Sequence, residues 1–322
     1  MPLPRSGDEV AQALIERWRW FAYRVRSHRW ATLELPRILA TLADYARLMR
    51  LNRPIGIWLL LWPTLWALWI AARGRPDPHV FIVFMAGVVL MRSAGCVIND
   101  YADRRFDPYV ERTRDRPLAA GRVSAAEALV LFAILALSAL VLALQLNRLT
   151  LLLALVAGFL AITYPFIKRF LSIPQLYLGL CFGWGIPMAF AAELEQIPRV
   201  AWLLFLANIL WVTAYDTMYA MVDRDDDLAI GVRSTAILFG DADRHIVAIL
   251  QAMTLYALYL AGRLAGLGRW YWAGLAAGAA ILVYQQALIR RRERAACLRA
   301  FLNNRHFGMA VFVGIALDYI FK

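Results

Sequence analysis

Apolar runs of about twenty residues recur along this chain, each long enough to cross a hydrocarbon core roughly 30 Å thick as a helix. They fall at 54–72, 80–99, 125–145, 149–167, 174–192, 200–221, 246–262, 271–289 and 306–321. Inside a bilayer every backbone N–H and C=O must be satisfied by the protein itself, which leaves helices or a closed barrel. Runs this continuously apolar suit helices better than alternating strands. A composition of 61% hydrophobic and 18% charged residues excludes an ordinary soluble globule. The expected fold is all-α, a polytopic membrane protein of about nine transmembrane helices over residues 49–322, with a basic amphipathic N-terminal extension over 1–48. No early segment pairs a short apolar core with a small-residue cleavage site, so the first span is expected to direct insertion.

Within the extension, residues 8–26 alternate Val10, Leu14, Ile15, Trp18, Phe21 and Val25 with Arg17, Arg19, Arg24 and Arg26. That pattern suits a helix lying in the membrane interface, and a second is expected at 36–50. The alternative is a basic tail without fixed structure. Elsewhere the arginines set orientation. With the N-terminus in the cytoplasm, the inward connections hold Arg104, Arg105, Arg112, Arg114, Arg116 and Arg122, then Lys168 and Arg169, then Arg224, Arg233 and Arg244, and last the cluster from Arg290 to Arg305. The outward connections carry few, and the bias places the acidic segments below on the cytoplasmic face. The net charge of +12 is spread over these connections without a nucleic-acid motif, so anionic lipid headgroups are the expected partner and nucleic acid is not. Cys96, Cys181 and Cys297 show no ligand spacing and are expected to pack as small apolar residues.

Two acidic clusters end apolar spans. In the first, Asp100, Asp103 and Asp107 are spaced i, i+3, i+7 and follow Asn99, so a helix continuing past the membrane edge would present them on one stripe. Pro108 biases Asp107 away from helical geometry and toward the start of a loop. In the second, Asp216, Asp223 and Asp227 return to nearly one azimuth, with Tyr219 one turn after the first; Asp225 and Asp226 are read as solvated spacers. One such cluster is commonly a solvated turn. Two of like architecture, about a hundred residues apart, point to a shared task, because carboxylates near a membrane interior are costly. Hard carboxylate oxygens without His or Cys point to Mg²⁺, which completes its shell with water and substrate phosphate.

Basic residues complete the set. Arg112 and Arg116, Lys168 and Arg233 are candidates for phosphate oxygens that metal does not neutralise; the alternative is that they only set topology. Arg92 lies within the second span on the face of Asn99 and needs an acid or a bound anion, whereas Arg53 at the mouth of the first span can also snorkel to headgroups. A metal-bound diphosphate at a bilayer surface, beside room for a hydrocarbon tail, implies an isoprenoid diphosphate. The matching reaction is ionisation of the allylic C–O bond in a pocket that excludes water.

The paired motifs Asn99-Asp100-x-x-Asp103-x-x-x-Asp107 and Asp216-x-x-Tyr219-Ala220-x-x-Asp223-x-x-x-Asp227 resemble those of the UbiA superfamily of intramembrane prenyltransferases. The flanking stretches RLNRPIGIWLLLWPTLWALW (50–69), RTRDRPLAAGRVS (112–124) and IGVRSTAILFG (230–240) resemble most its 4-hydroxybenzoate polyprenyltransferase branch. The resemblance covers roughly residue 45 to the C-terminus, and the N-terminal extension departs from the family pattern. It implies nine helices around a central cavity, capped by two Asp-rich cytoplasmic loops and open sideways to lipid. It also implies metal ligation by Asp100, Asp103, Asp216 and Asp223, with Asp107 and Asp227 in support and Asn99 orienting diphosphate or metal water. The implied co-substrates are a polyprenyl diphosphate and 4-hydroxybenzoate, in ubiquinone synthesis at a bacterial inner membrane. Arg53 or Arg92 would hold the aromatic carboxylate, and the ring faces of Tyr164 and Tyr219 would stabilise the cation. A sister enzyme with another aromatic acceptor is the main rival, and a secondary transporter a more distant one.

Overall fold

The computed structural model describes residues 29–109, 113–167, 170–230 and 234–322, with side chains from Leu35 onward and without those of 225–230. Every regular element among the described residues is helical. In chain order these are α1 (Arg29–Leu48), α2 (Ile55–Ala71), α3 (Pro78–Asp103), α4 (Ala125–Ala143), α5 (Arg148–Ile167), α6 (Pro174–Gly183), α7 (Gly185–Leu194), α8 (Arg199–Ile230), α9 (Thr235–Phe239), α10 (Asp243–Leu264), α11 (Arg269–Leu288) and α12 (Arg294–Ile320). Seven helical stretches are long and apolar enough to cross a membrane. The chain is an integral membrane protein.

The expected count of nine needs two more elements. α2 is apolar but 17 residues long. α12 carries Arg294, Arg299, Asn303, Asn304 and Arg305 in its first half and is not among the seven. The interfacial helix expected at 8–26 lies outside the described residues, while the one expected at 36–50 corresponds to α1.

Local chemistry fixes the helix starts. Asp77 accepts hydrogen bonds from the backbone N–H groups of His79 and Val80, with Pro78 in the first turn of α3. Ser124 and Glu127 close a reciprocal capping box at the start of α4. The span expected at 174–192 is one of the seven, Pro174–Leu194, and its helix is interrupted at Trp184. Pro187 is the physical reason: it lacks an N–H for the Gly183 carbonyl, and its ring crowds that carbonyl.

Large buried aromatics and small residues pack these helices. Trp66 of α2, Trp211 of α8 and Phe307 of α12 form the centre, with ring centroids 5.4 Å apart for Trp66–Trp211 and 5.1 Å for Trp211–Phe307. Their polar edges are satisfied: Trp66 Nε1 donates to the Gly308 carbonyl at 3.0 Å, and Trp211 Nε1 to Asn304 Oδ1 at 2.8 Å. α11 and α12 approach backbone to backbone at Gly274 and Gly314, where a Cβ on Gly274 would sit 2.7 Å from the Gly314 Cα. α1 joins this body through its last turn, where buried Leu48 packs with Ala94, Val97 and Val123.

Candidate active site

Both acidic motifs face one cavity of about 1360 Å³. Asn99, Asp100 and Asp103 reach it from the end of α3, and Asp107 from the 3-10 turn Asp107–Tyr109. Asp216, Tyr219 and Asp223 reach it from α8. The cavity thus gathers residues more than a hundred positions apart. Asp227 belongs to the same helix, and its side chain is among those not described.

The acids are not carried by two loops, as the resemblance implied, but by helices: Asp100 and Asp103 at the end of α3, and Asp216 and Asp223 in the C-terminal half of α8. α3 continues to Asp103, because nothing between Asn99 and Pro108 breaks it sooner, and only Asp107 lies beyond. α8 contains no Gly or Pro from Arg199 to Ile230 and stays helical through the whole second motif.

Asp100 is 2% exposed, which makes it the most enclosed of the described cavity acids. Arg50 Nη2 donates to both of its oxygens at 2.9 Å, and Arg116 Nη1 donates to Oδ1 at 3.0 Å. The same Arg116 group reaches Asp107 Oδ2 at 2.9 Å, bridging the helix end to the turn. Burial pushes the Asp107 carboxyl up from the usual carboxylate range, Arg116 opposes this, and Asp100 and Asp103 add to it. Asn99 Nδ2 donates to Asp103 Oδ2 at 3.1 Å, orienting that carboxylate.

Arg92 sits deeper, with its guanidinium 5.5 Å over the Phe182 ring and against Gly56, where any Cβ would collide with it. Its Nε is buried without a hydrogen-bond partner. Arg53 also lines the cavity but is exposed. Tyr164 lies 6.3 Å from Tyr177 and Tyr219 lies 4.6 Å from Phe301, both tyrosines lining the cavity. Arg112, Lys168 and Arg233 lie outside the described residues.

Sequence reasoning missed Arg50, Tyr215 and Ser234. Arg50 was in view, three residues before Arg53, but its reach to a carboxylate fifty residues away has no sequence signature. Tyr215 lines the cavity with its hydroxyl buried and unpartnered, and Ser234 does so with its Oγ likewise.

Much of the remaining wall is apolar. Ala136, Ala139 and Ala143 of α4 and Ala154, Ala157 and Ala161 of α5 present small side chains to the cavity. Leu155, Phe159 and Ile162 line it and are also exposed. Among the described residues no group of three or more His, Cys, Asp or Glu closes on a metal by itself. What faces the cavity is a set of carboxylate oxygens split between the end of α3 with its following turn and the C-terminal half of α8. That set fits Mg²⁺ whose shell is completed by water and a phosphate, and Asp100, Asp103, Asp107, Asp216 and Asp223 are the residues that would hold it.

An all-helical membrane body with carboxylates from two helices facing one largely apolar cavity suits a ligand with a diphosphate head and a hydrocarbon tail, the demand on an intramembrane prenyltransferase. A match to the UbiA prenyltransferase family spans residues 60–311, and the chain belongs to that family. It is 59% identical over 289 residues to the 4-hydroxybenzoate octaprenyltransferase of Methylococcus capsulatus, covering 89% of this chain and 99% of that one. With its counterpart of the same name from Nitrosococcus oceani the identity is 60% over 276 residues, covering 86% and 97%. Among solved structures, the apo UbiA homolog from Aeropyrum pernix K1 superposes with a TM-score of 0.72 at 27% identity, over 82% of this chain and 97% of that one. The UbiA homolog from Archaeoglobus fulgidus bound to GPP and Mg²⁺ gives 0.66 at 16% identity, over 87% and 100%, a likeness of fold alone.

Proposed function

We propose that the enzyme transfers a polyprenyl group from a polyprenyl diphosphate to 4-hydroxybenzoate, ortho to the hydroxyl, for ubiquinone synthesis. The observation that carries this is one cavity that holds residues of both acidic motifs beside a largely apolar wall. The near-60% identity to relatives named 4-hydroxybenzoate octaprenyltransferase supports the acceptor. The arginine bias of the connections supports placing the acidic end at the cytoplasmic face of a bacterial inner membrane.

Bound Mg²⁺ would supply positive charge to the departing diphosphate. The chain's own groups do the rest. Arg50 and Arg116, whose forks grip carboxylates, match phosphate oxygens equally well, and Arg112, Lys168 and Arg233 remain candidates beside them. The allylic C–O bond breaks and diphosphate leaves. The ring carbon ortho to the hydroxyl then forms a C–C bond to the allylic carbon and loses its proton to solvent. Tyr164 and Tyr219 offer ring faces to the cationic carbon, and the apolar wall keeps water from capturing it.

Of the two arginines considered for the aromatic carboxylate, the geometry favours Arg92. It is inside the cavity with an unpartnered buried Nε, whereas Arg53 is solvated at the mouth. The test is incubation of purified protein with polyprenyl diphosphate, 4-hydroxybenzoate and Mg²⁺, with and without chelator. Metal-dependent 3-polyprenyl-4-hydroxybenzoate is the expected product; product only with another aromatic acid would move the enzyme to a sister activity.

A further inference from the structure

Outside the cavity, a carboxylate absent from both acidic motifs is fully buried: Asp243, at the start of α10. Arg292 grips it bidentately, Nε reaching both oxygens at 3.0 Å and Nη2 reaching Oδ1 at 2.7 Å. Arg224 Nη1 approaches the other oxygen at 3.7 Å. Backbone ties reinforce the pair, Arg292 Nη2 donating to the Asp241 carbonyl at 2.7 Å and Arg244 Nη1 to the Arg290 carbonyl at 2.8 Å. Arg292 holds a left-handed backbone, φ 55°, a conformation disfavoured for an L-residue and stabilised here by these contacts.

Arg224 follows Asp223 directly, about 100° around α8, so Asp223 faces the cavity while Arg224 reaches outward. Hydrophobic packing of this end of α8 runs through Met218, Met221 and Val222 against Val247, Ile289 and Ala300. Two residues beyond Val222, Arg224 reaches the ion cluster. A buried hydrogen bond between the Thr217 and Thr235 hydroxyls, 2.7 Å, ties α8 to the short α9 that leads to Asp243.

We propose that Asp243 is a positioning residue: with Arg224 and Arg292 it anchors the acid-bearing end of α8 to the α11–α12 turn, and thereby sets how tightly the cavity holds a prenyl diphosphate. The inference rests on the prenyl-diphosphate reading of the cavity. Neither Asp243 nor Arg292 touches the cavity, and the Arg92–Gly56 corner lies on α2 and α3, away from the anchor. Loss of the anchor therefore weakens diphosphate binding selectively.

The test is thermal stabilisation of the purified full chain by geranyl diphosphate with Mg²⁺, together with Michaelis constants for both substrates, in Asp243→Asn and Arg224→Gln. The second variant leaves the Asp243–Arg292 pair intact and removes only its link to α8. Both are expected to raise the half-stabilising geranyl diphosphate concentration and its KM by about tenfold, the usual scale for losing a supporting contact behind a ligand site. The KM for 4-hydroxybenzoate is expected to stay at the wild-type value. Wild-type midpoints in Arg224→Gln, or equal changes in both KM values, would overturn the proposal while leaving the cavity's function intact. A wild-type protein that geranyl diphosphate and Mg²⁺ do not stabilise would overturn the underlying function, and the proposal with it.

Discussion

Asp100 receives two guanidiniums at once, and both come from groups shaped to bind phosphate as readily as carboxylate. The pairing keeps a buried negative charge tolerable while the cavity holds no diphosphate. Asp100→Ala and Asp223→Ala, one from each motif, are each expected to lower kcat by about a hundredfold or more, as removing a transition-state electrostatic contact does. Steady-state assay of membrane-inserted variants checks this. Gly56→Ala places a methyl group on the Arg92 guanidinium; its expected signature is a higher KM for the aromatic acid with the diphosphate KM unchanged. Asn304→Leu strips the partner from the buried Trp211 N–H. It is expected to cost about 1–3 kcal/mol of stability, read from thermal unfolding in detergent.

At the scale of elements, hydropathy located the seven candidate spans, because a bilayer demands about twenty apolar residues per crossing and tolerates few other solutions. Their ends were less visible. α3 and α8 run past the apolar stretch into charged sequence, since helix continuation there is governed by the lack of Gly and Pro rather than by hydropathy. The break at Trp184 was signalled by Pro187 but was submerged in a continuous apolar run. The paired motifs made Asp100, Asp103, Asp216 and Asp223 legible; Arg50, Tyr215 and the Asp243 cluster were not, because each depends on contacts between helices distant in sequence. α1 shows exposed Leu35, Ile38, Leu39 and Leu42 at helical spacing, opposite Asp44, which accepts a hydrogen bond from Arg122 of the body. This face is expected to lie in the lipid interface. A polarity-sensitive fluorophore on Leu39→Cys in proteoliposomes should report an apolar setting and one on Arg37→Cys an aqueous setting; two aqueous signals would contradict it.

For the whole molecule, the helices matter because they bring two motifs, far apart in sequence, to one cavity whose remaining wall is largely apolar. One motif alone gives acids without a counterpart, and the apolar wall alone gives a lipid groove. Joined, they provide a polar head site and a tail site at a membrane surface, which is the demand a polyprenyl diphosphate makes. Removing divalent metal with chelator is therefore expected to abolish turnover, and restoring Mg²⁺ to return it. The most direct measurement is Mg²⁺-dependent binding of radiolabelled geranyl diphosphate to the wild type, to Asp100→Ala, to Asp223→Ala and to the double variant. If the motifs act as one site, each single change removes most of the metal-dependent binding and the double change removes little more. Independent, additive losses, or full binding in either single variant, would contradict a shared site.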